Sequence, residues 1–343
     1  MHGKKTMRVF VTGGAGYVGS ACLRALLAEG HDAIAFDNLC EGHREAVPGT
    51  RLIVGDVCDT PELVRAMRDY RADAVMHFAA ATYVGVSVEN PDYHYGNNIG
   101  GTLSLLRAMR EVKVRRILFS STCATYGDNP KVPMNEQAEQ IPCSPYARTK
   151  LSVEWMIRDF AHAYGLGFTI LRYFNAAGAD RDGEYGENHD PENHLIPRIL
   201  EVPLGKHENI LLFGDDYPTP DGTCIRDYVH TDDLASAHLL AISATTPLTA
   251  EVYNVGTGQG QSVKQVHAAC EDVTGRSIPC EVVARRPGDA PALVADPTKL
   301  KTRLGWKPKY PDIRATVETA WRWHQRYPNG YTDKAARRSA HDA

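Results

Sequence analysis

The stretch "MRVFVTGGAGYVGSACLRALLAEG", residues 7–30, decides the fold. A short apolar run enters a cluster of glycines, and a helical pattern follows, closed by another glycine. Gly13, Gly16 and Gly19 form G-x-x-G-x-x-G, and Gly14, Gly16 and Gly19 also satisfy G-x-G-x-x-G. Glycine here lets the backbone turn tightly and approach a pyrophosphate, and the helix N-terminus behind it offers unpaired N–H groups. Such a pattern is specific only with a strand before it, a helix after it and a second strand next. All three are present, "DAIAFDN" (32–38) being the second strand. Asp37 ends that strand. A carboxylate there bonds ribose hydroxyls and repels a 2′-phosphate, and "DNLCEG" holds no arginine to receive one, so NAD is expected over NADP. Asp56, in "GDV" (55–57), follows the next strand. It faces either the adenine or the backbone of a helix that it caps.

Four further apolar runs alternate with helical patterns over the first 175 residues: "RLIVGDV" (51–57), "DAVMHFAA" (73–80), "RRILFSST" (115–122) and "FTILRYFN" (168–175). Near-continuous apolar strands separated by helices indicate a parallel sheet covered on both faces. The expected fold is therefore α/β, a doubly wound Rossmann sheet over 7–175. Residues 176–230 are rich in Gly, Pro, Asp and Asn, with one helical piece near 194–205. "EVYNVGTG" (251–258) looks like one more strand and "SVKQVHAACEDVTG" (262–275) like a helix. Residues 176–330 thus read as a smaller α/β lobe that sends some elements back to the first domain. Residues 331–343 read as a polar tail, and "MHGKKT" as a short extension.

The bulk numbers narrow the class. Hydrophobic residues make up 43% and charged residues 23%, with a net charge of −4 and no long basic run, which argues against nucleic acid as the main partner. No apolar stretch approaches the ~18 residues of a membrane span. No leader pattern is visible at the N-terminus, so the cytosol is the expected compartment. Eight cysteines are scattered without Cys-x-x-Cys or any Cys/His set of zinc spacing, so no metal is expected and the thiols should be reduced and mostly buried.

"CSPYARTK" (143–150) holds the one Tyr-x-x-x-Lys of the chain. With 16 tyrosines and 12 lysines, chance alone gives about 0.6 such pairs, so the surroundings must carry the reading. Ser144 suits an N-cap and Pro145 the first helical position. A helical pattern then runs through Leu151, Trp155 and Phe160 to Gly165, a natural C-cap. Tyr146 and Lys150 therefore share one face of its first turns. Removing a hydroxyl proton near neutral pH requires lowering a tyrosine pKa by about 3 units, roughly 4 kcal/mol. A lysine ammonium about 4.5 Å away contributes about 3.7 kcal/mol at an effective dielectric of about 20. Ser120, Ser121 and Thr122, leaving the fifth strand, offer a hydroxyl to the same reacting oxygen.

Together the glycine pattern, the Ser/Thr after strand five and Tyr-x-x-x-Lys resemble the extended short-chain dehydrogenase/reductase family. "DNL", "NNIGGT" (97–102), "LRYFNAAGA" (171–179), "FGDDYPTPDGTCIRDYVH" (213–230), "YNVGTGQGQSV" (253–263) and "RRPGDAPALVAD" (285–296) are similar to its UDP-sugar 4-epimerase branch. The resemblance implies reversible epimerisation at carbon 4 of a UDP-hexose, with tightly bound NAD, a transient 4-keto sugar and a homodimer joined by helices near 95–110 and 145–164. It makes Tyr146 the base, Lys150 its partner and Thr122 the catalytic hydroxyl. It places the cofactor at Gly13, Gly16, Tyr17, Val18, Gly19, Asp37, Asn38, Asp56, Val57, Phe78, Ala79, Asn97, Ser120, Tyr146, Lys150 and Tyr173. It places the substrate at Thr122, Asn175, His194, Leu195, Phe213, Arg226, Arg286 and Asp289. Read alone, Arg226 could instead pair with Asp227, and Phe213 could be core. Relatives that dehydrate or decarboxylate carry an acid just after the threonine. Cys123 and Ala124 stand there, so elimination is not expected. Some relatives also place a lysine at the cofactor phosphates within the segment corresponding to "FAAATYVGVS" (78–87), which has neither Lys nor Arg. Leu293 stands where side-chain bulk gates N-acetylated sugars, and its intermediate size leaves that choice open.

Overall fold

The computed structural model describes residues 6–129, 131–286 and 289–332. Among the described residues thirteen strands are formed: β1 (Arg8–Thr12), β2 (Asp32–Asp37), β3 (Leu52–Val54), β4 (Ala74–His77), β5 (Arg116–Thr122), β6 (Gly167–Tyr173), β7 (Asn175–Ala177), β8 (Ile210–Phe213), β9 (Ile225–His230), β10 (Ala250–Val255), β11 (Gly260–Ser262), β12 (Cys280–Val283) and β13 (Ala292–Leu293). The α-helices are α1 (Tyr17–Ala28), α2 (Thr60–Tyr70), α3 (Val84–Glu89), α4 (Pro91–His94), α5 (Gly101–Val112), α6 (Pro145–Tyr164), α7 (Leu195–Glu201), α8 (Thr231–Ala244), α9 (Val263–Thr274), α10 (Thr298–Leu304) and α11 (Ile313–Arg326).

Seven parallel strands form the main sheet in the order β3-β2-β1-β4-β5-β6-β10. The first six reproduce the doubly wound order 3-2-1-4-5-6, whose ligand crevice lies at the carboxyl ends of the strands. The seventh, β10, comes from the second half of the chain and pairs with β6 from Ala250↔Phe168 to Val255↔Tyr173. One face of the sheet is covered by α1, α8 and α10 through Leu23, Leu26, Leu234, Ile242 and Leu300. The other is covered by α2, α5 and α6 through Leu63, Met67, Leu105, Met109, Val153 and Ile157. Burial on both faces explains why these strands read as unbroken apolar runs.

Beside the main sheet, β9 pairs with β7, β11 and β13, and β8 pairs with β12. A separate core of Ile196, Ile199, Leu200, Val266, Cys270 and Val317 holds α7, α9 and α11 together. Several of these elements gave no sequence signal. Strands of two to six residues carry too few alternations to register. The helix α8 has apolar and small residues on most sides because it lies between α1 and the sheet.

Local chemistry sets the helix ends. Ser144 Oγ accepts the Ala147 amide at 3.2 Å, Pro145 occupies the first turn, and Gly165 closes α6 in the left-handed region at φ 67°. Trp155, which the helical pattern includes, stands 56% exposed on the outer side of α6. Half of the cysteines, at 40, 58, 143 and 280, are exposed, against the expectation of mostly buried thiols. The expected polar tail begins with a buried residue instead: Tyr331 packs on Trp323 and His43, and Thr332 donates its amide to Glu45. Residues 333–343, and residues 1–5 of the expected extension, lie outside the described residues.

Candidate active site

A cavity of about 1440 Å³ opens at the carboxyl ends of the central strands. Its floor is the glycine loop. Gly13 has φ +69°, and a Cβ there would stand 2.4 Å from the Ala79 amide nitrogen. At Gly19 a Cβ would stand 2.1 Å from Gly13 O. Only glycine allows the loop to fold this closely on the helix. Gly16 begins α1 without a side-chain cap, so the first-turn N–H groups stay available to an anion. A dinucleotide pyrophosphate fits this cradle. Asp37 is nearly buried, and its carboxylate accepts the amides of Ala15 (3.0 Å) and Leu39 (2.8 Å), joining the glycine loop to the end of β2. Asn38 donates to Asp56 at 3.2 Å. Asp56 is not a helix cap: Asp59 caps α2 through the Glu62 amide. Of the expected cofactor residues, Gly13, Gly16, Tyr17, Val18, Gly19, Asp37, Asn38, Val57, Phe78, Ala79, Asn97, Tyr146 and Tyr173 line the cavity. Ser120 and Lys150 are buried behind that lining, and Asp56 is exposed outside it.

The strand β5 delivers Thr122 to the cavity wall, and the first turn of α6 delivers Tyr146 beside it. Lys150 is buried one turn along and donates to Ser120 O at 3.0 Å. Ser120 Oγ in turn bonds the Tyr173 hydroxyl. Burial pushes the Tyr146 phenol up, Tyr173 adds to this and the Thr122 hydroxyl opposes it. Burial pulls the Lys150 ammonium down to about 7, with Glu154 holding it up. The simple Coulomb balance expected from the spacing is therefore incomplete. In the protein alone, desolvation weakens the ammonium and works against the phenolate. Cys123 and Ala124 follow Thr122 in the wall, so the wall has no acid there.

The far side of the cavity gathers the expected substrate residues. Arg226 donates to Ala290 O at 2.8 Å and to Ile225 O, and faces Asp289 at 3.7 Å. It does not pair with its neighbour: Asp227 is fully buried and accepts the amides of Thr257, Gly258 and Ala295. Arg286 pairs with Asp289 at 3.2 Å and lies 4.6 Å over the Phe213 ring. Phe213 is thus half-buried in the cavity wall. Asn175, His194, Leu195 and Leu293 complete the lining.

Sequence reading missed several residues that shape the site. Asn98 is buried; its side chain accepts from Ala81 N and donates to Ala81 O and Thr149 Oγ1, tying the loop after β4 to α6. It lies in a π-helical turn, Tyr95–Gly100, a distortion often found at functional sites. His189, Glu192 and His194 line the cavity rim, and the buried Glu187 joins them in one cluster. Burial pulls His189 down, but the facing carboxylates of Glu187 and Glu192 outweigh it and carry the ring up to about 10. The cue was the alternation of acids and histidines in "GENHDPENHL" (186–195), which matches no Cys/His metal spacing.

The comparisons agree with this geometry. The NAD dependent epimerase/dehydratase family matches residues 9–256. A UDP-glucose 4-epimerase of Halalkalibacterium halodurans is 47% identical over 327 residues, 95% of this chain and 98% of the relative. The crystal structure of the UDP-glucose 4-epimerase from Brucella ovis in complex with NAD superposes with a TM-score of 0.89 at 47% identity, covering 92% of this chain and 98% of that one. That of Bifidobacterium longum, in complex with NAD+ and UDP, has a TM-score of 0.90 at 36% identity, covering 94% and 100%. With the family matched over most of the chain and a relative 47% identical across nearly its whole length, the chain belongs to the NAD dependent epimerase/dehydratase family.

Proposed function

We propose that the protein interconverts UDP-galactose and UDP-glucose by epimerisation at carbon 4, retaining NAD between turnovers. One observation carries the reading. A single cavity joins the glycine cradle, the Tyr146–Thr122 pair and the Arg226–Asp289–Arg286–Phe213 group. Bound NAD supplies the two-electron acceptor and donor for carbon 4, and its oxidised ring adds a positive charge. Tyr146 takes the proton of the 4-hydroxyl and later returns it, while Thr122 bonds the same oxygen. Lys150 orients this end of α6 through Ser120 O, and its positive charge favours the phenolate. Arg226 and Arg286 hold the diphosphate, Phe213 and Asp289 the nucleoside, and Asn175, His194 and Leu195 the sugar side. Inverting carbon 4 requires the 4-keto sugar to turn over between its oxidation and the reverse reduction on its other face. That demands a firm grip on UDP and a loose one on the hexose. With Cys123 and Ala124 beside Thr122, no acid is placed to expel a hydroxyl.

For function we divide the chain into a NAD-binding part, 7–175, and a UDP-sugar-binding part, 176–330. Thiols such as those of Cys22, Cys123, Cys224 and Cys270, buried without a disulfide, suit the cytosol. We assign the enzyme to galactose metabolism. Two copies pair through α6 and the helical segment around 95–110, a reading supported by the exposed Trp155 and Tyr95.

Incubating purified protein with UDP-galactose, without added NAD, should yield UDP-glucose. The Tyr146→Phe variant should lower kcat by ~10²–10⁴-fold. Because Leu293 lines the cavity, the panel includes UDP-N-acetylglucosamine, UDP-xylose and UDP-glucuronate. Conversion of only one of these three would move the assignment to that sugar. Conversion of no UDP-sugar would overturn it.

A further inference from the structure

Between β7 and α7 the chain makes one loop that carries Glu187, His189, Glu192 and His194. A ligand atom from each lies within 4.8 Å of every other. The donors are two imidazole nitrogens and two carboxylate oxygens. His189 Nδ1 lies 3.2 Å from Glu187 Oε1 and 3.7 Å from Glu192 Oε2. His194 Nδ1 lies 3.7 Å from Glu192 Oε1 and in direct contact with Glu187 Oε1. Metal–ligand bonds of ~2.0–2.2 Å in a tetrahedron put neighbouring donors about 3.3–3.6 Å apart; the 3.2 Å separation and the two of 3.7 Å, which run to different oxygens of Glu192, lie just outside that range. The fourth must open by about an ångström to reach that separation.

His189 supplies a second, independent observation. Its Nδ1 is shielded from solvent yet makes no hydrogen bond; the 3.2 Å approach to Glu187 lacks hydrogen-bond alignment. The two carboxylates engage this nitrogen by charge, at 3.2 and 3.7 Å, and leave its direct bonding capacity open to an ion. The loop is also held for the purpose. Trp323 Nε1 donates to Glu187 O at 3.0 Å, and Asn188 is fixed by the Tyr331 amide and the His43 ring. The backbone amides of Asn193 and His194 orient the Glu192 carboxylate.

We propose that Glu187, His189, Glu192 and His194 form a zinc site. Two imidazoles and two carboxylates suit zinc, and four protein donors describe a structural, closed coordination shell. The two carboxylates neutralise the divalent charge. The ion cross-links an eight-residue loop at the cavity rim. The His189 ring stands edge-on to Tyr17 of the glycine-loop helix and to Tyr83 after β4, at 6.4 and 6.0 Å. Zinc therefore fixes the loop that joins the glycine-loop side of the cavity to α7. This inference stands on the loop alone and does not depend on which UDP-sugar is the substrate.

The test uses untagged full-length protein, stripped with a chelator and then titrated with Zn²⁺ or, as a spectroscopic probe, Co²⁺. One zinc per chain should remain after dialysis, and Co²⁺ should give the strong visible bands of a tetrahedral site. His189→Asn and Glu192→Gln, each checked for a native far-ultraviolet spectrum, should weaken zinc binding by at least ~100-fold, more than the ~10–100-fold typical of losing an outer-shell partner. Zinc should also raise the thermal midpoint of the parent protein and leave that of either variant unmoved. Failure of the stripped protein to take up zinc or cobalt would overturn the proposal and leave a metal-free His–Glu network. Full zinc occupancy in both variants would overturn it equally, by placing the metal elsewhere.

Discussion

Lys150 is a buried cation whose surroundings oppose its charge. Its ammonium is pulled to about 7 by burial, against 10.5 for an exposed lysine, while Glu154 one turn on partly restores it. Between those two values the unfolded chain binds a proton that the folded protein has released. Stability therefore rises with pH across that window, and below about 7 the full cost of the buried charge is present. Methionine has nearly the same length and no charge. Lys150→Met, measured by urea unfolding without added nucleotide, should be more stable than the parent by ~2–4 kcal/mol at pH 6, after allowing for the lost bond to Ser120 O. The gap should close as pH rises from 7 to 10.5, and turnover should be lost. A gap independent of pH would show that burial does not depress this lysine. The pairing of Tyr146 with Lys150 was legible from spacing and a helix cap. The direction of their pKa shifts was not, because desolvation is set by side chains from β5, β6 and α6 that meet only in the folded protein.

The helix α6 is anchored by one ion pair. Glu154 accepts from Arg172 Nε at 2.9 Å and Nη2 at 2.6 Å and from Ser121 Oγ at 2.6 Å, and both charged side chains are at most 3% exposed. Arg172 extends the network to Tyr126 and Gln140. These bonds join the fifth and sixth strands to the helix that bears Tyr146 and Lys150. Arg172→Met should destabilise the protein by ~3–5 kcal/mol, because it leaves Glu154 buried without the guanidinium that hydrogen-bonds it. The double variant Arg172→Met/Glu154→Leu should recover most of that loss, since two apolar side chains replace a desolvated pair at little net cost. Equal urea midpoints for the single and double variants would refute the coupling. At this scale the sequence disclosed where α6 starts and stops, through Ser144, Pro145 and Gly165. Glu154 looked like any helical glutamate. Its partner lies 18 residues away on a strand, and spacing carries no information about that contact.

For the molecule as a whole, the outer face of α6 bears on assembly. Trp155 is 56% exposed there, a large apolar side chain that a second copy would cover. Light scattering should return about twice the 37.8 kDa chain mass, and Trp155→Glu should reduce it to one chain while retaining the native spectrum. A parent protein of single-chain mass would remove the pairing. The glycine loop, the six alternating strands, Asp37 and the tyrosine–lysine helix were determined by the sequence itself. Each depends on neighbours within a few residues: a turn that admits only glycine, a cap, an apolar period. Tertiary structure alone decided that β10 closes the sheet from the other half of the chain and that Arg226 turns from Asp227 toward Asp289. It also decided that two glutamates and two histidines converge at the cavity rim. Those outcomes rest on long-range pairing and on which polar groups lose water, and neither is written in local spacing.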